Sequence, residues 1–593
     1  MVPIYALLPI IAAILLIALI RSRRAPGPIA IIGSILALAL LPFVQYGSST
    51  INWFSIGSFT FSITTVITPI SYMLMGVILF ISPLIYVYST WFMDKPSEQR
   101  RFYIEILAFQ AAMLAFSFSG SFITFLIAWE FLSLTSYLLI GFWNTREGPI
   151  VASRKALTMV LIGDVAILAA VGVLGSTFGT LDFAPIISGL SSAPAGAVTI
   201  AAVLLVIAAF TKSAQFPFHE WLIDAMEGPT PVSAFLHSTT MVKAGVFSIL
   251  LLLPLFQYTG LTTVILAVSM LTAIIATLNA VREFHIKKVI AYSTMQELSL
   301  MLVAISAGAV SAAAYFFFVQ SFYKAMLFFS SGSVMKATGE EDLRKANGIK
   351  SNKLLYYSTA FGVLSLAGFI PFSGFFSSVG ISSSLATNLP IYAILSLISF
   401  GTSFYIFRWM FYVAGQSNMP EVPTNYRSLP KRMLFPIAVL AIATLAVSAT
   451  FSIFPGFLSG PDSFYNIATA GSGLKFELYD AISFTVLTAL AAVSCYLIYV
   501  KKRTGQHMRL ASLGYTAPAM NSFYRYFSYF VLEITEGANA FDSALSNSFD
   551  DLGRAVVKSG YIVRRASAGQ INYYAAIFAL ALILLAAYAY VLI

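Results

Sequence analysis

Long apolar runs recur from one end of the chain to the other, separated by short polar connections. Each run covers about 17–25 residues, enough to cross ~30 Å of hydrocarbon as a helix. The pattern predicts sixteen transmembrane helices, at 3–20, 29–46, 68–91, 102–118, 121–143, 156–178, 198–218, 232–255, 261–281, 289–309, 312–335, 354–376, 388–413, 433–455, 478–500 and 571–592. We therefore expect an all-α polytopic membrane protein.

Two of these runs look interrupted near a proline. The seventh leads into Gln215-Phe-Pro217, and the twelfth carries Gly368-Phe-Ile-Pro371-Phe-Ser-Gly374. Proline removes a backbone hydrogen bond, which a membrane tolerates where the freed groups face protein or water. Broken helices at matching places predict two inverted five-helix repeats, as in many transporters. Two unrelated proline kinks are the alternative.

Residues 519–568 follow a different pattern, without proline and with apolar side chains at close to the 3.6-residue helical period. These apolar positions are Phe523, Phe527, Phe530, Ile534, Ala538, Phe541, Leu545, Phe549, Leu552 and Val556. Fifty helical residues extend roughly 75 Å, so the helix must lie along the surface. We expect a lateral amphipathic helix that clamps neighbouring subunits; a helix folded back over its own bundle is the alternative.

These patterns divide the chain into one bundle and an appended helix. The predicted segments are 1–101 (helices 1–3), 102–260 (the first repeat, helices 4–8), 261–414 (the second repeat, helices 9–13), 415–518 (helices 14–15 and loops), 519–568 (the lateral helix) and 569–593 (the last helix).

The charge distribution predicts an orientation. The chain is 59% hydrophobic and 10% charged, with a net charge of +10. Of its 34 lysines and arginines, 29 fall in odd-numbered connections, whereas the even-numbered connections hold only Lys475. The positive-inside rule then places odd connections in the cytoplasm and both termini outside an inner or plasma membrane. This distribution argues against nucleic-acid binding.

The residues that usually hold redox centres are scarce. Cys495 is the one cysteine, and the four histidines lie in unrelated segments without a metal-binding spacing. Glycine-rich nucleotide fingerprints are also missing. We expect no metal and no redox cofactor in this chain.

Four basic residues fall inside apolar runs: Lys212, Lys243, Lys324 and Arg408. A charge at the bilayer centre costs about 2.5–3.5 kcal/mol, so an ion path is the default explanation. Glu130 and Asp164 lie in neighbouring runs. At ~7 Å and an effective dielectric of ~20, Glu130 and Lys212 would attract each other by about 2.4 kcal/mol, enough to gate a proton site. A static ion pair that holds helices together is the alternative.

The densest polar stretch is His219-Glu-Trp-Leu-Ile-Asp-Ala-Met-Glu-Gly-Pro-Thr-Pro-Val-Ser-Ala-Phe-Leu-His237-Ser-Thr-Thr-Met-Val-Lys243-Ala-Gly. It resembles the signature of the antiporter-like subunits of respiratory complex I, and of the related Mrp antiporters and membrane-bound hydrogenases. Matching motifs occur at Trp129-Glu130, 290–295, 322–328, 330–333 and 372–377. The lateral helix before the last run resembles the L-type subunit, called subunit 5 in mitochondria.

The resemblance implies a role for each matching position. Glu130 matches the essential glutamate of the fifth helix, Lys212 the lysine of the broken seventh helix, and Asp164 its acidic modulator. His237 matches the histidine that links the two halves. The implied proton path comprises Glu130, Asp164, Lys212, His237, Lys243, Lys287, Glu297 and Lys324.

Several positions depart from the family pattern in the second half. Ser378 and Val379 stand where the family usually has Lys-Asp on the proposed exit path. Phe316 and Gln320 replace frequent histidines, and Glu297 a common glutamine. Lys243 replaces a threonine and resembles the Mrp pattern. We expect Lys324 to be the last titratable lysine of this half, with Glu297 or hydrated hydroxyls completing the route.

The resemblance implies a proton-translocating subunit of a complex I-type oxidoreductase that passes electrons from NADH or another donor to quinone. NADH, FMN, iron–sulfur clusters and quinone would bind partner subunits, and M-, N-, J- and K-like subunits would surround the chain in the bilayer. The alternative is a Mrp-type Na⁺/H⁺ antiporter or membrane-bound hydrogenase subunit. A purely structural anchor is a third possibility, against which Glu130, Lys212 and Lys324 speak.

Overall fold

Helices make up most of the computed structural model, which describes residues 3–20, 22, 24–56, 59–415, 426, 429–458 and 477–499. Twelve helices within these ranges are long and apolar enough to cross a membrane, so the chain is a multi-pass membrane protein. The number of sixteen remains a prediction. The predicted lateral helix at 519–568 and the last apolar run lie outside the described residues.

The helices follow the predicted runs closely within the described ranges. They are α1 (Leu8–Leu19), α2 (Pro26–Leu40), α3 (Pro69–Phe92), α4 (Pro96–Ser117), α5 (Phe122–Ile140), α6 (Glu147–Phe178), α7 (Phe183–Ser188), α8 (Ala195–Lys212), α9 (Glu220–Asp224), α10 (Thr230–Ser238), α11 (Met241–Leu251), α12 (Leu253–Tyr258), α13 (Thr262–Arg282), α14 (Ile286–Ser306), α15 (Val310–Thr338), α16 (Lys353–Leu366), α17 (Ser373–Leu385), α18 (Leu389–Ala414), α19 (Lys431–Ser448), α20 (Phe454–Leu458) and α21 (Leu478–Tyr499).

A β-hairpin between α2 and α3 contradicts the all-α prediction. Strand β1 (Gly47–Ile56) pairs antiparallel with β2 (Phe59–Ile67). Both strands alternate serine and threonine with aromatic and β-branched residues, which favour extended backbone. A search for long apolar runs does not register such alternating segments.

The backbone leaves the helical conformation at three places in the core. Helix α8 ends at Lys212, and a gap separates α16 from α17, as the two prolines predict. The eighth run is also interrupted, because it divides into α10 and α11. Gly374, in the first turn of α17, lies so close to α16 that a Cβ there would be 1.7 Å from the carbonyl oxygen of Ser365.

The most deeply buried helices of the described chain are α10, α11, α14 and α15. The share of buried residues in the apolar stretch is 100% for α10–α11, 94% for α15 and 83% for α14. The corresponding share is 33% for α18 and 28% for α21, which therefore lie at the periphery. Polar side chains on α10, α11, α14 and α15 are thus far from solvent and need partners within the protein.

Candidate functional site

The first polar cluster forms where α5 and α8 meet. Lys212, the last residue of α8, is fully buried. Its Nζ donates to Ser133 Oγ at 2.5 Å and to the carbonyl oxygen of Trp129 at 3.2 Å. The ammonium also lies 4.7 Å from the centre of the Trp129 ring, a cation–π contact. Neutral atoms therefore provide all the close contacts to this buried charge.

Asp164 on α6 joins the same cluster. It is 2% exposed, and its Oδ1 accepts hydrogen bonds from Trp129 Nε1 at 2.6 Å and from Ser133 Oγ at 3.4 Å. Its Oδ2 is buried without a partner in the described structure. Ser133 Oγ thus lies between the carboxylate of Asp164 and the ammonium of Lys212. A hydroxyl both donates and accepts, so it can relay a proton between the two groups.

A glycine allows α6 to approach α8 at this point. A Cβ on Gly163 would lie 2.0 Å from Thr211 Oγ1, the residue before Lys212. Only glycine fits this contact without a shift of one helix. The close approach brings Asp164, the next residue along α6, to the end of α8.

Glu130 lies beside this cluster without joining its hydrogen bonds. It is half-buried and interacts electrostatically with Asp164 and Lys212. No salt bridge connects Glu130 to Lys212 in the part of the chain that the structure describes, and Glu130 Oε1 is buried without a partner. The static ion pair considered from the sequence is therefore not the observed arrangement.

The second polar cluster contains a direct ion pair between α14 and α15. Lys324 Nζ lies 2.9 Å from Glu297 Oε2, and both side chains are buried. Lys324 also donates to Ser293 Oγ, and Tyr323 Oη donates to Glu297 Oε1 at 2.9 Å. Glu297 stands where the family pattern commonly has glutamine. It is the counter-ion of Lys324.

Lys243 on α11 repeats the surroundings of Lys212. Its Nζ donates to the carbonyl oxygen of Phe317 at 2.6 Å and to Ser321 Oγ, and it lies 4.6 Å from the centre of the Phe317 ring. In both cases an aromatic residue provides the carbonyl and the ring, and a serine four residues later provides the hydroxyl. One helical turn brings these groups to the same face.

His237 lies between the two clusters on α10. It is fully buried, its ring is 5.0 Å from that of Phe328, and neither ring nitrogen has a hydrogen-bond partner among the described residues. The hydroxyls of Thr230 and Ser233, on the same face of α10, are also buried without partners. Buried polar atoms of this kind usually bind ordered water, so this face of α10 offers polar partners for water molecules.

Lys287 lies in the first turn of α14. Its buried Nζ donates to the carbonyl oxygens of Met226 and, at 3.0 Å, Gly228. These carbonyls lie just before α10, so Lys287 connects α14 to the helix that carries His237. Seven of the eight predicted path residues are buried, and Glu130 is half-buried. Glu130, Asp164 and Lys212 lie in the first cluster and Glu297 and Lys324 in the second, whereas His237, Lys243 and Lys287 have partners of their own or none among the described residues.

Arg408 is the buried cation for which the ion-path explanation fails. Its guanidinium donates to the carbonyl oxygens of Ala280, at 3.0 Å, and Glu283, and lies 4.9 Å from the ring centre of Phe284. The last carbonyls of a helix lack intrahelical donors and carry the negative end of its dipole. Arg408 therefore stabilises the end of α13, and this requirement explains its burial.

Several side chains in the clusters could not be recognised from the sequence. Ser133, Ser293 and Ser321 are serines within long apolar runs, where they read as ordinary small residues. Only the i, i+4 spacing after an aromatic residue marks Ser133 and Ser321. Across the described ranges, no three His, Cys, Asp or Glu side chains gather as a metal ion would require.

Comparisons with known proteins match this part of the chain. The family described as "NADH:quinone oxidoreductase/Mrp antiporter, TM" matches residues 119–405. The family described as "NADH-Ubiquinone oxidoreductase (complex I), chain 5 N-terminus" matches residues 53–103. The first match contains every residue of the predicted proton path.

Individual relatives point the same way. Subunit L of the NADH-quinone oxidoreductase of Campylobacter jejuni is 34% identical over 403 residues, 67% of each chain. Subunit 5 of the NAD(P)H-quinone oxidoreductase of Paulinella chromatophora is 32% identical over 421 residues, which cover 66% of this chain and 63% of that protein. The chain therefore spans about two thirds of the length of these relatives.

A solved structure shares the fold. The Mrp complex from Dietzia sp. DQ12-45-1b contains a chain that matches with a TM-score of 0.75 and 21% identity. The match covers 100% of this chain and 62% of that chain.

Proposed function

The chain belongs to the antiporter-like family of NADH:quinone oxidoreductase and Mrp antiporter membrane subunits, and on that premise we propose that it translocates protons in the membrane arm of a complex I-type NADH:quinone oxidoreductase. The family resemblance expected from the sequence is confirmed. The observation that carries the proposal is the row, in sequence order, of buried titratable residues: Asp164, Lys212, His237, Lys243, Lys287, Glu297 and Lys324.

In the proposed mechanism, Lys212 is the proton carrier of the first half. A proton leaving its ammonium would pass to Ser133, whose hydroxyl already contacts both Lys212 and Asp164. Asp164 and Glu130 set the electrostatic field at this lysine. A change in the position or charge of Glu130 would alter the affinity of Lys212 for its proton, because unit charges a few ångströms apart interact strongly in a low dielectric.

In the second half, Lys324 is the central proton carrier and Glu297 its counter-ion. Lys243 lies between the halves on α11, and electrostatic interactions couple it to both Lys324 and Glu297. His237 and the water that its unpartnered nitrogens require would complete the connection. Protonation of one group then changes the free energy of protonating the next, which is how a charge change could pass along the row.

Membership of this family also implies which partner subunits and which membrane would surround the chain. NADH oxidation and quinone reduction would occur in partner subunits that hold FMN and iron–sulfur clusters, and M-, N-, J- and K-like subunits would contact this chain. The membrane would be an inner or plasma membrane, with odd connections in the cytoplasm and both termini outside. The breaks after α8 and after α16 support inverted repeats at 102–260 and 261–414.

Na⁺/H⁺ exchange in a Mrp-type complex is the second candidate, favoured by one observation. Lys243, at a position where many L-type subunits have threonine, is buried and donates two hydrogen bonds in the core, to Phe317 and Ser321. The relatives named above are NADH- or NAD(P)H-quinone oxidoreductase subunits, which supports the first proposal.

One experiment separates the two functions. The complex is purified through an affinity tag on this chain, reconstituted into liposomes and supplied with NADH and a quinone. The proposal expects inward proton transport that follows NADH oxidation and does not depend on Na⁺. Proton transport driven by a Na⁺ gradient, without NADH oxidation, would support the antiporter instead.

A further inference from the structure

Asp480 is a buried acid that the predicted proton path does not include. It lies in the first turn of α21 and is 2% exposed. Tyr392 Oη donates to its Oδ1 at 2.9 Å, while Oδ2 is buried without a partner in the described structure. The described salt bridges include none to Asp480. A buried carboxylate without a cation or a full set of donors is costly, so its place in the fold calls for an explanation.

Asp480 lies beside the segment that lacks the family's usual lysine and aspartate. Ala481 and Phe484 of α21 pack against Phe375 and Val379 of α17. Val379 follows Ser378, where the lysine of the exit path is expected. A carboxylate on the neighbouring helix thus occupies the region from which the family's acid is missing.

Hydroxyl groups lie along α18 between Asp480 and the break that separates α16 from α17, with Ser396 and Ser399 donating to carbonyl oxygens of their own helix. On α18, Tyr392, Ser396, Ser399 and Ser403 recur at steps of 4, 3 and 4, which places them on one helix face. The outer end of this face, Tyr392, contacts Asp480, and also Ser483 at 3.0 Å.

The other end of this row reaches the break itself. Ser403 Oγ donates to the carbonyl oxygen of Ala367 at 3.0 Å, and Thr488 Oγ1 of α21 reaches the same oxygen at 3.4 Å. Ala367 is the first residue after α16. The contact face of α18 and α21 therefore carries hydroxyls from the broken helix to Asp480.

A second set of hydrogen bonds leads from Lys324 to this face. Lys324 donates to Ser293 Oγ, which also contacts Tyr405. Tyr405 Oη donates to Gln296 Oε1 at 2.5 Å, and Gln296 Nε2 donates to Thr402 Oγ1 at 2.5 Å. Thr402 precedes Ser403, where the row toward Asp480 begins.

We propose that Asp480 is the last proton-carrying residue on the exit route of the second half, in place of the lysine that is missing at position 378. A proton released from Lys324 would move along these hydroxyls and intervening water and bind the carboxylate of Asp480. Release of the proton to solvent regenerates the carboxylate. This inference rests on the proposed function.

The test uses the whole complex in liposomes and measures protons moved per NADH oxidised. Asp480→Asn keeps the shape of the side chain but cannot carry a proton as an acid. We expect it to lose the same number of protons per NADH as Lys324→Ala, and Asp480→Glu to recover them. Because the measure is a ratio, a smaller yield of assembled complex does not affect it.

Glu477→Gln is the matched control, since Glu477 is an exposed acid three residues from Asp480, and it should pump as the unaltered complex does. A small weak acid such as formate should partly restore pumping in Asp480→Asn, because it can carry the proton, which a purely structural role would not allow. Unaltered pumping by Asp480→Asn would overturn the inference alone. If the unaltered complex moves no protons with NADH, the proposed function fails and this inference with it.

Discussion

Two buried lysines of the same chain are stabilised in different ways. Lys212 contacts the neutral atoms of Ser133 and Trp129, and reaches the carboxylate of Asp164 only through a hydroxyl. Lys324 contacts the carboxylate of Glu297 directly at 2.9 Å. A proton can leave Lys212 through Ser133 without breaking an ion pair, whereas deprotonation of Lys324 leaves Glu297 uncompensated.

Lys243 is a second buried lysine whose hydrogen-bond partners are neutral. It has the same aromatic carbonyl, aromatic ring and serine hydroxyl as Lys212, but no acid is hydrogen-bonded to that serine. Lys212 differs from Lys243 because its serine also contacts an acid, Asp164. It differs from Lys324 because a hydroxyl separates it from that acid, whereas Lys324 contacts Glu297 directly. All three lysines are buried, so the separation between the ammonium and the nearest carboxylate is what distinguishes them.

The largest difference between the halves should appear in stability. Lys324→Ala leaves a buried carboxylate without its cation, which typically costs about 3–5 kcal/mol. We expect a markedly lower thermal stability and yield of the complex, together with loss of pumping. The double variant Lys324→Ala/Glu297→Gln should recover stability but not pumping. Equal instability of the single and double variants would show that the ion pair is not the cause.

Lys212→Ala should have a smaller effect on stability and as large an effect on pumping. Its partners are neutral, so its removal leaves hydrogen-bonding groups unsatisfied at roughly 1–3 kcal/mol, not an unpaired acid. The measurement compares thermal unfolding of the complex in the two lysine variants. If Lys212→Ala proves as destabilising as Lys324→Ala, the distinction between the two clusters is wrong.

Removal of a single serine should distinguish the halves more finely. Ser133→Ala takes away the hydroxyl between Lys212 and Asp164, at a cost of about 1–3 kcal/mol in the first half. Ser293→Ala should slow pumping less, because Lys324 keeps its contact with Glu297. Ser133→Thr retains the hydroxyl and is the matched control. Equal rates for the two alanine variants would contradict a relay through Ser133.

Much of the site could be predicted because charges within apolar runs are visible in the sequence. Lys212, Asp164 and Lys324 were found in this way, and the structure brings each into a buried cluster. Ser133 could not be found, since a serine in a transmembrane helix is common and its partners lie on other helices. Asp480 was missed because it opens an apolar run and reads as a residue of the membrane interface.

The same reasoning failed where the partner is backbone. Arg408 was assigned to an ion path, but it binds carbonyl oxygens about 125 residues away in sequence, and no side-chain pattern marks them. The β-hairpin was missed because its strands alternate polar and apolar residues instead of forming a long apolar run. The break between α10 and α11 contains no proline, so it could not be recognised from the sequence.

Protons moved per NADH oxidised, in liposomes that contain the complete complex, test the central claim most directly. The variants are Lys212→Ala and Lys324→Ala, with Lys336→Ala as control because it removes an exposed lysine from the same helix as Lys324. We predict a lower ratio for both buried lysines and an unchanged ratio for Lys336→Ala. An unchanged ratio in both buried variants would contradict the claim that this chain moves protons along its buried lysines.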